Sequence, residues 1–180
     1  MGARSYWVAP VPPQNFADGT AFTGLTLQDI SPTPARTIGA FVPEQGTGLR
    51  LRAFGEYTST SATPTLTLGF YWGGFGGVAL AAATGVAISA SAVAWPWMME
   101  WEGEFRLLGG TGSVKGMGLL RMGSSLTAFN AEIGIPATQA LRTVTVSTAA
   151  AQAVTVGANW SSATGTPSIT CYRLLVEMVG

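Results

Sequence analysis

The stretch WPWMMEWEGEFRLL, residues 95–108, alternates strictly enough to fix its own conformation. Successive side chains of a strand point to opposite faces, so Trp97, Met99, Trp101, Phe105 and Leu107 share one side. Glu100, Glu102, Glu104 and Arg106 take the other. Burying large rings is the stronger free-energy term, which makes the aromatic side the core side. Gly103 interrupts that side and marks either a bulge or a place where a ring lies against the backbone. One long strand, wet on its acidic side, is the expectation.

Outward from it, LGGTG (108–112) is a turn and GSVKGMGLLRMG (112–123) the hairpin partner. Setting Leu108 opposite Ser113 places Glu100 opposite Arg121, Glu104 opposite Met117 and Arg106 opposite Lys115. Opposed residues share a face, so this register predicts a Glu100–Arg121 ion pair, which a one-residue slip would break. Upstream, GLRLRAFGEYTST (48–60) sets Leu49, Leu51, Ala53 and Tyr57 against Arg50, Arg52 and Glu56. In TLTLGFYW (65–72), Leu66, Leu68, Phe70 and Trp72 share a face. GGFGG (73–77) is a hairpin connection; no Lys-Ser or Lys-Thr follows it to make a phosphate loop.

VALAAA (78–83) and GVAISAS (85–91) read as short strands, and SSLTAFNAEIGIPATQAL (124–141) as one strand plus a loop or short helix. RTVTVST (142–148), QAVTVGANWS (152–161) and SITCYRLLVEMV (168–179) are β-rich and separated by polar turns. The first 45 residues differ: PVPPQNFADG and SPTPAR are punctuated by proline. The prediction is all-β, a two-sheet antiparallel sandwich, jelly-roll-like, over 46–180. An extended proline-rich N-terminal arm, 1–45, precedes it, with short strands at 20–27 and 36–41.

Composition limits what such a fold can do. Only 10% of the 180 residues are charged, against a usual figure of about 25%. Nine basic residues balance nine acidic ones, so no net field draws nucleic acid or an anionic membrane, and neither is an expected partner. Histidine is absent, which removes the commonest general base and metal ligand. The single cysteine, Cys171, allows no intrachain disulfide and no cysteine zinc site; the expectation is a small strand residue, partly buried. VALAAATGVAISASAVAW (78–95) approaches a membrane span in length, but it is too rich in Ala, Gly, Ser and Thr to be expected to insert. MGARSYWVAPVPP has one arginine and then prolines, with no apolar core of secretory type, so no targeting segment is expected.

The acidic side of 95–108 is the one candidate for chemistry. Carboxyls at i and i+2 on a strand lie about 6.5–7 Å apart, a spacing that glycoside hydrolysis tolerates. Such pairs are nevertheless ordinary on solvated strand faces, and a Ca²⁺ site would want loop ligands that Asp18 and Asp29, far away in sequence, do not supply. Glu100, Glu102, Glu104 and Arg121 are therefore expected to form an interface or ion-paired face, with no catalytic residue, metal or cofactor. Tyr6, Trp7 and Phe16 lie in the arm, where no strand pattern accounts for them; docking on a partner is expected there, with packing on their own domain the alternative. Trp72 and Phe75 flank glycines and are candidates for stacking on a glycan, although a core role competes.

Three elements share a recognisable cadence: LRLRAFGEYTSTSATPTLTLGFYWGG (49–74), WEGEFRLLGGTGSVKGMG (101–118) and VTVGANWSSATGTPSITCYRLLVEMV (154–179). Together they resemble jelly-roll virion proteins of tailed bacteriophages, especially those of actinobacteria, used for head decoration or in tail fibres. The resemblance spans about residues 48–179, rests on pattern, and carries over no functional residues. It implies a non-enzymatic capsid decoration or cement protein on the exterior of the virion, assembled in the host cytoplasm. Its partners would be copies of itself, a homotrimer foremost, and the major capsid protein. The alternative it implies is a tail-fibre or minor tail domain that binds host cell-surface glycan.

Overall fold

The structure, a computed structural model, describes residues 18–33, 36–40 and 42–180. Among the described residues, alternating side-chain character becomes eleven strands: β1 (Gln28–Asp29), β2 (Arg36–Ile38), β3 (Gly48–Thr58), β4 (Leu66–Trp72), β5 (Val78–Val86) and β6 (Trp95–Leu107), then β7 (Gly112–Gly123), β8 (Phe129–Ile135), β9 (Thr143–Val146), β10 (Gln152–Trp160) and β11 (Ser168–Val179). A short 3₁₀ turn, Gln139–Arg142, precedes β9. All strand pairs are antiparallel. One sheet runs β11-β3-β6-β7-β8, with β9 beside the other half of β7; the second runs β1-β10-β4-β5, with β2 also on β10.

The strand pair β3/β11 in one sheet continues as β4/β10 in the other, since Thr58 faces Ser168 and Leu66 faces Trp160. An antiparallel ribbon folded over both layers in this way gives the predicted two-sheet, jelly-roll-like sandwich. Its core follows the predicted faces except at Leu107, which lies past the register shift after Phe105 and is exposed. Leu49, Leu51, Ala53 and Tyr57 of β3 and Trp97, Met99, Trp101 and Phe105 of β6 are buried against Leu66, Leu68 and Phe70 of β4. Buried ring polar groups find partners: Tyr57 donates to the Gly123 carbonyl at 2.6 Å, and Trp97 Nε1 to that of Thr170 at 3.1 Å.

Of the two predicted strands, 78–83 and 85–91, the first forms and runs on through Gly85 to Val86 as β5, while residues 87–91 are loop and turn, which corrects the second. The chain passes through Gly85 at φ 65°, where register shifts against β4, so this glycine makes a bulge and does not end the strand. In GGFGG, by contrast, Gly73, Gly74 and Gly76 all have positive φ and form the β4–β5 turn.

Residues 18–33 and 36–38 are extended, as expected of an arm, and they are stitched to their own sandwich. Gly19 N–H donates to Cys171 O at 2.9 Å, and Phe22 exchanges two bonds with Ile169. Ile30 N–H donates to Val156 O at 2.8 Å. This segment thereby links the β10 edge of one sheet to the β11 edge of the other, and Ile30 and Ile38 enter the common core. The boundary expected at residue 45 falls after both segments.

Candidate functional site

The outer face of the six-stranded sheet carries the acidic residues of β6. Glu102 lies opposite Arg50 of β3, and Glu100 opposite Arg52. The pairs close at 3.1 Å (Arg50–Glu102) and 3.6 Å (Arg52–Glu100), and Arg50 reaches Glu177 of β11 at 4.0 Å. Glu104 pairs with Arg106 of its own strand at 3.1 Å, across a register shift between Phe105 and Leu107.

The predicted Glu100–Arg121 pair is corrected. Leu107, not Leu108, faces Ser113, and from Trp97 to Phe105 the hairpin register differs by two residues from the expected one. Arg121 lies opposite Met98 of β6 and, on its other side, opposite Glu132 of β8, to which it donates two hydrogen bonds at 2.8 and 3.1 Å. The bond and charge of Glu132 raise the Arg121 pKa, with a smaller contribution from Glu100. The residues missed as partners, Arg50, Arg52 and Glu132, had a signal. Arg-x-Arg on β3 and Glu-x-Glu on β6 have the same spacing of two and opposite sign.

Apolar side chains stand among these charges. Phe54, Met117, Leu119 and Val179 are exposed on the same face. A groove of about 150 Å³ runs over it between Arg50, Arg52, Glu100 and Glu102 and the β7 residues Met117 and Leu119. That volume is well below the roughly 300 Å³ of small-molecule pockets. A wider, open trough of about 480 Å³ lies beyond it, beside Glu104, Arg106, Lys115 and Arg142. Each β6 carboxylate is already matched to a guanidinium, an arrangement suited to a patterned surface more than to proton transfer. Among the described residues no group of three or more His, Cys, Asp or Glu side chains is placed to hold a metal ion.

Beneath this face the Trp101 ring lies flat on two glycines. Gly103 and Gly116 face each other across β6 and β7, and a Cβ on either would overlap the indole. Of the two readings of Gly103, the ring contact is the one found. The Trp101 Nε1 is buried without a hydrogen-bond partner.

The aromatic candidates separate. Trp72 is 3% exposed, donates to the Ser147 carbonyl at 2.8 Å and meets Phe105 edge-on at 5.6 Å. It has no face to offer a sugar, and its candidacy is withdrawn. Phe75, in the glycine turn, is 61% exposed. Tyr6, Trp7 and Phe16 lie outside the described residues. Cys171 is fully buried, beyond the partial burial expected, and burial pushes its thiol up to about 12. No family model, no curated protein and no solved structure matches the chain.

Proposed function

We propose that the protein is a structural component of a phage virion, a head-decoration or cement protein that oligomerises on the capsid exterior and stabilises the shell without catalysis. The observation that carries this reading is the number of large apolar side chains left in water on a charge-poor surface. Val93 and Leu126 stand 68% and 67% exposed in the connections at one end of the sandwich, and Leu107 and Leu108 stand exposed at the β6–β7 turn at the other. A surface of this kind gains by being covered by copies of itself or by a shell. The resemblance of residues 48–179 to phage jelly-roll proteins supplies the virion context and makes the major capsid protein the second partner. Adding the purified protein to capsids that lack it tests the reading: it should bind saturably and appear as regular density on the head in electron micrographs. A monomer with no affinity for shells would refute it. Exposed Phe75 favours the tail-domain alternative, in which saturable binding on a glycan array is lost in Phe75→Ala.

A further inference from the structure

The outer face of the six-stranded sheet is complementary to itself. Read across β7, β6, β3 and β11, one row runs Leu119, Glu100, Arg52, Leu175: apolar, acid, base, apolar. Turned end for end, that row sets acid on base and apolar on apolar. The next row repeats the charges at its centre with Glu102 and Arg50, and the row on the other side sets Met98 beside Phe54. All three rows turn about one line, parallel to the strands and midway between β3 and β6. We propose that this face pairs with the same face of a second copy about that two-fold axis.

In such a pair Arg52 lies over Glu100 of the second copy and Arg50 over its Glu102, so each ion pair within a chain becomes part of an alternating square of four charges. Phe54 meets Met98 of the other copy, and Leu119 meets Leu175. A charge taken out of water then has two opposite neighbours in place of one, which offsets the desolvation that a single buried pair suffers. With the axis between β3 and β6, the strands β11, β3, β6 and β7 overlap their copies and β8 overhangs. Four strands at about 4.8 Å, and twelve residues of β7 at about 3.3 Å each, span roughly 19 by 40 Å. That is about 760 Å², close to the roughly 800 Å² each partner contributes to a standard interface. Stacked sheets cross at about 30°, which tilts the two-fold line from the strand direction by about half that angle, so the central rows mate while the outer positions swing apart. The crossing separates Arg121 from Arg173 of the second copy, the one like-charge encounter of these three rows, and Glu132 already neutralises Arg121.

The proposal goes beyond the virion reading, because a two-fold pair needs no shell, and shell binding is scored separately. Its test exchanges the signs of the stripes: Arg50→Glu, Arg52→Glu, Glu100→Arg and Glu102→Arg, with Glu177→Arg to keep the flanking pair. Every ion pair of this centre within the chain is retained, so the fold is preserved, and the variant is again complementary to itself. Against the wild type, however, like charges meet at the centre. Native mass spectrometry should show wild type and variant each as assemblies of an even number of copies. After equal mixing with one form isotope-labelled, mixed pairs should fall far below the statistical half. A wild type found only as single copies or trimers, or mixed pairs at the statistical share, overturns the proposal. Should the exchanged variant not fold, Met117→Asp with Leu119→Asp alters only exposed positions; unchanged pairing in it would overturn the proposal equally.

Discussion

The slot that holds Trp101 gives a sharp test of how the sandwich is packed. The three atoms nearest to a Cβ on Gly103 all belong to the Trp101 ring: it overlaps Cη2 and lies 2.6 Å from Cζ2 and 3.0 Å from Cζ3. Gly103 φ lies outside the left-handed region, so alanine is strained there by contact alone. Gly103→Ala should therefore destabilise through overpacking, by about 1–3 kcal/mol. At about 2–4 °C per kcal/mol for a chain of this size, the midpoint should drop by roughly 2–12 °C. Trp101→Leu removes the ring atoms that the methyl would strike, itself at a cost of several kcal/mol. In that background Gly103→Ala should be neutral or stabilising by up to about 1 kcal/mol, because alanine loses less backbone entropy than glycine. The four proteins form a cycle with an expected coupling of about 1–4 kcal/mol. Urea unfolding followed by circular dichroism, at one fixed protein concentration, measures it. The same cost for Gly103→Ala in both backgrounds would refute the slot.

Other expectations follow from burial. Trp72→Ala should cost about 3–5 kcal/mol in thermal or urea unfolding, whereas Phe75→Ala should stay within about 0.5 kcal/mol; similar losses would contradict their placement. The Cys171 thiol should ignore a disulfide reagent near neutral pH in the folded protein and react stoichiometrically once denatured, and rapid reaction of the native state would count against its burial. Tyr172 is pushed up to about 12, first by its hydrogen bond to Glu56. For both groups the unfolded chain ionises first, Cys171 from 9.0 and Tyr172 from 10.0. Their stabilisation is thus whole below pH 9 and is lost as pH climbs toward 12. Glu56→Gln should return the Tyr172 ultraviolet titration toward 10, and no movement would exclude that bond.

Most of the fold was legible because period two is a local signal. Trp97, Met99, Trp101 and Phe105 are buried on the face that alternation assigns them, as are Leu49 and Leu51 of β3. Misreadings arise where a residue has two meanings. Gly85 looks like a break and is a bulge; Trp72 beside glycines looks like a platform and is core, because it shares the inward face of β4 with Leu66, Leu68 and Phe70. Prolines in the first 45 residues signal extended chain but not what it lies against, and the bonds from Gly19, Phe22 and Ile30 to β10 and β11 bridge more than a hundred residues of sequence.

The register of the β6–β7 hairpin shows why the ion pairs could not be read from the hairpin alone. A shift by two residues leaves every side chain on its face, so the hydrophobic pattern cannot choose between the predicted and observed pairings. Within the hairpin the predicted pairing gains Glu100 opposite Arg121 but sets Arg106 opposite Lys115. The observed one sets Lys115 opposite Glu104 and, on the inner face, Gly118 opposite Trp101 and Gly116 opposite Gly103, whereas the predicted one sets Leu120 opposite Trp101 and so crowds the slot that the indole occupies. Arg121 loses nothing, because β8 brings it Glu132, and Glu100 loses nothing, because β3 brings it Arg52. Exposed pairs are each worth at most about 1 kcal/mol, while a large buried ring is worth several. Packing of Trp101 therefore outweighs any single charge contact in choosing the register, and the neighbouring strands then supply partners for the charges. The hairpin is thus set by the tryptophan on the inner face, and Glu100 and Glu102 of WPWMMEWEGEFRLL meet their arginines on the opposite neighbour, β3.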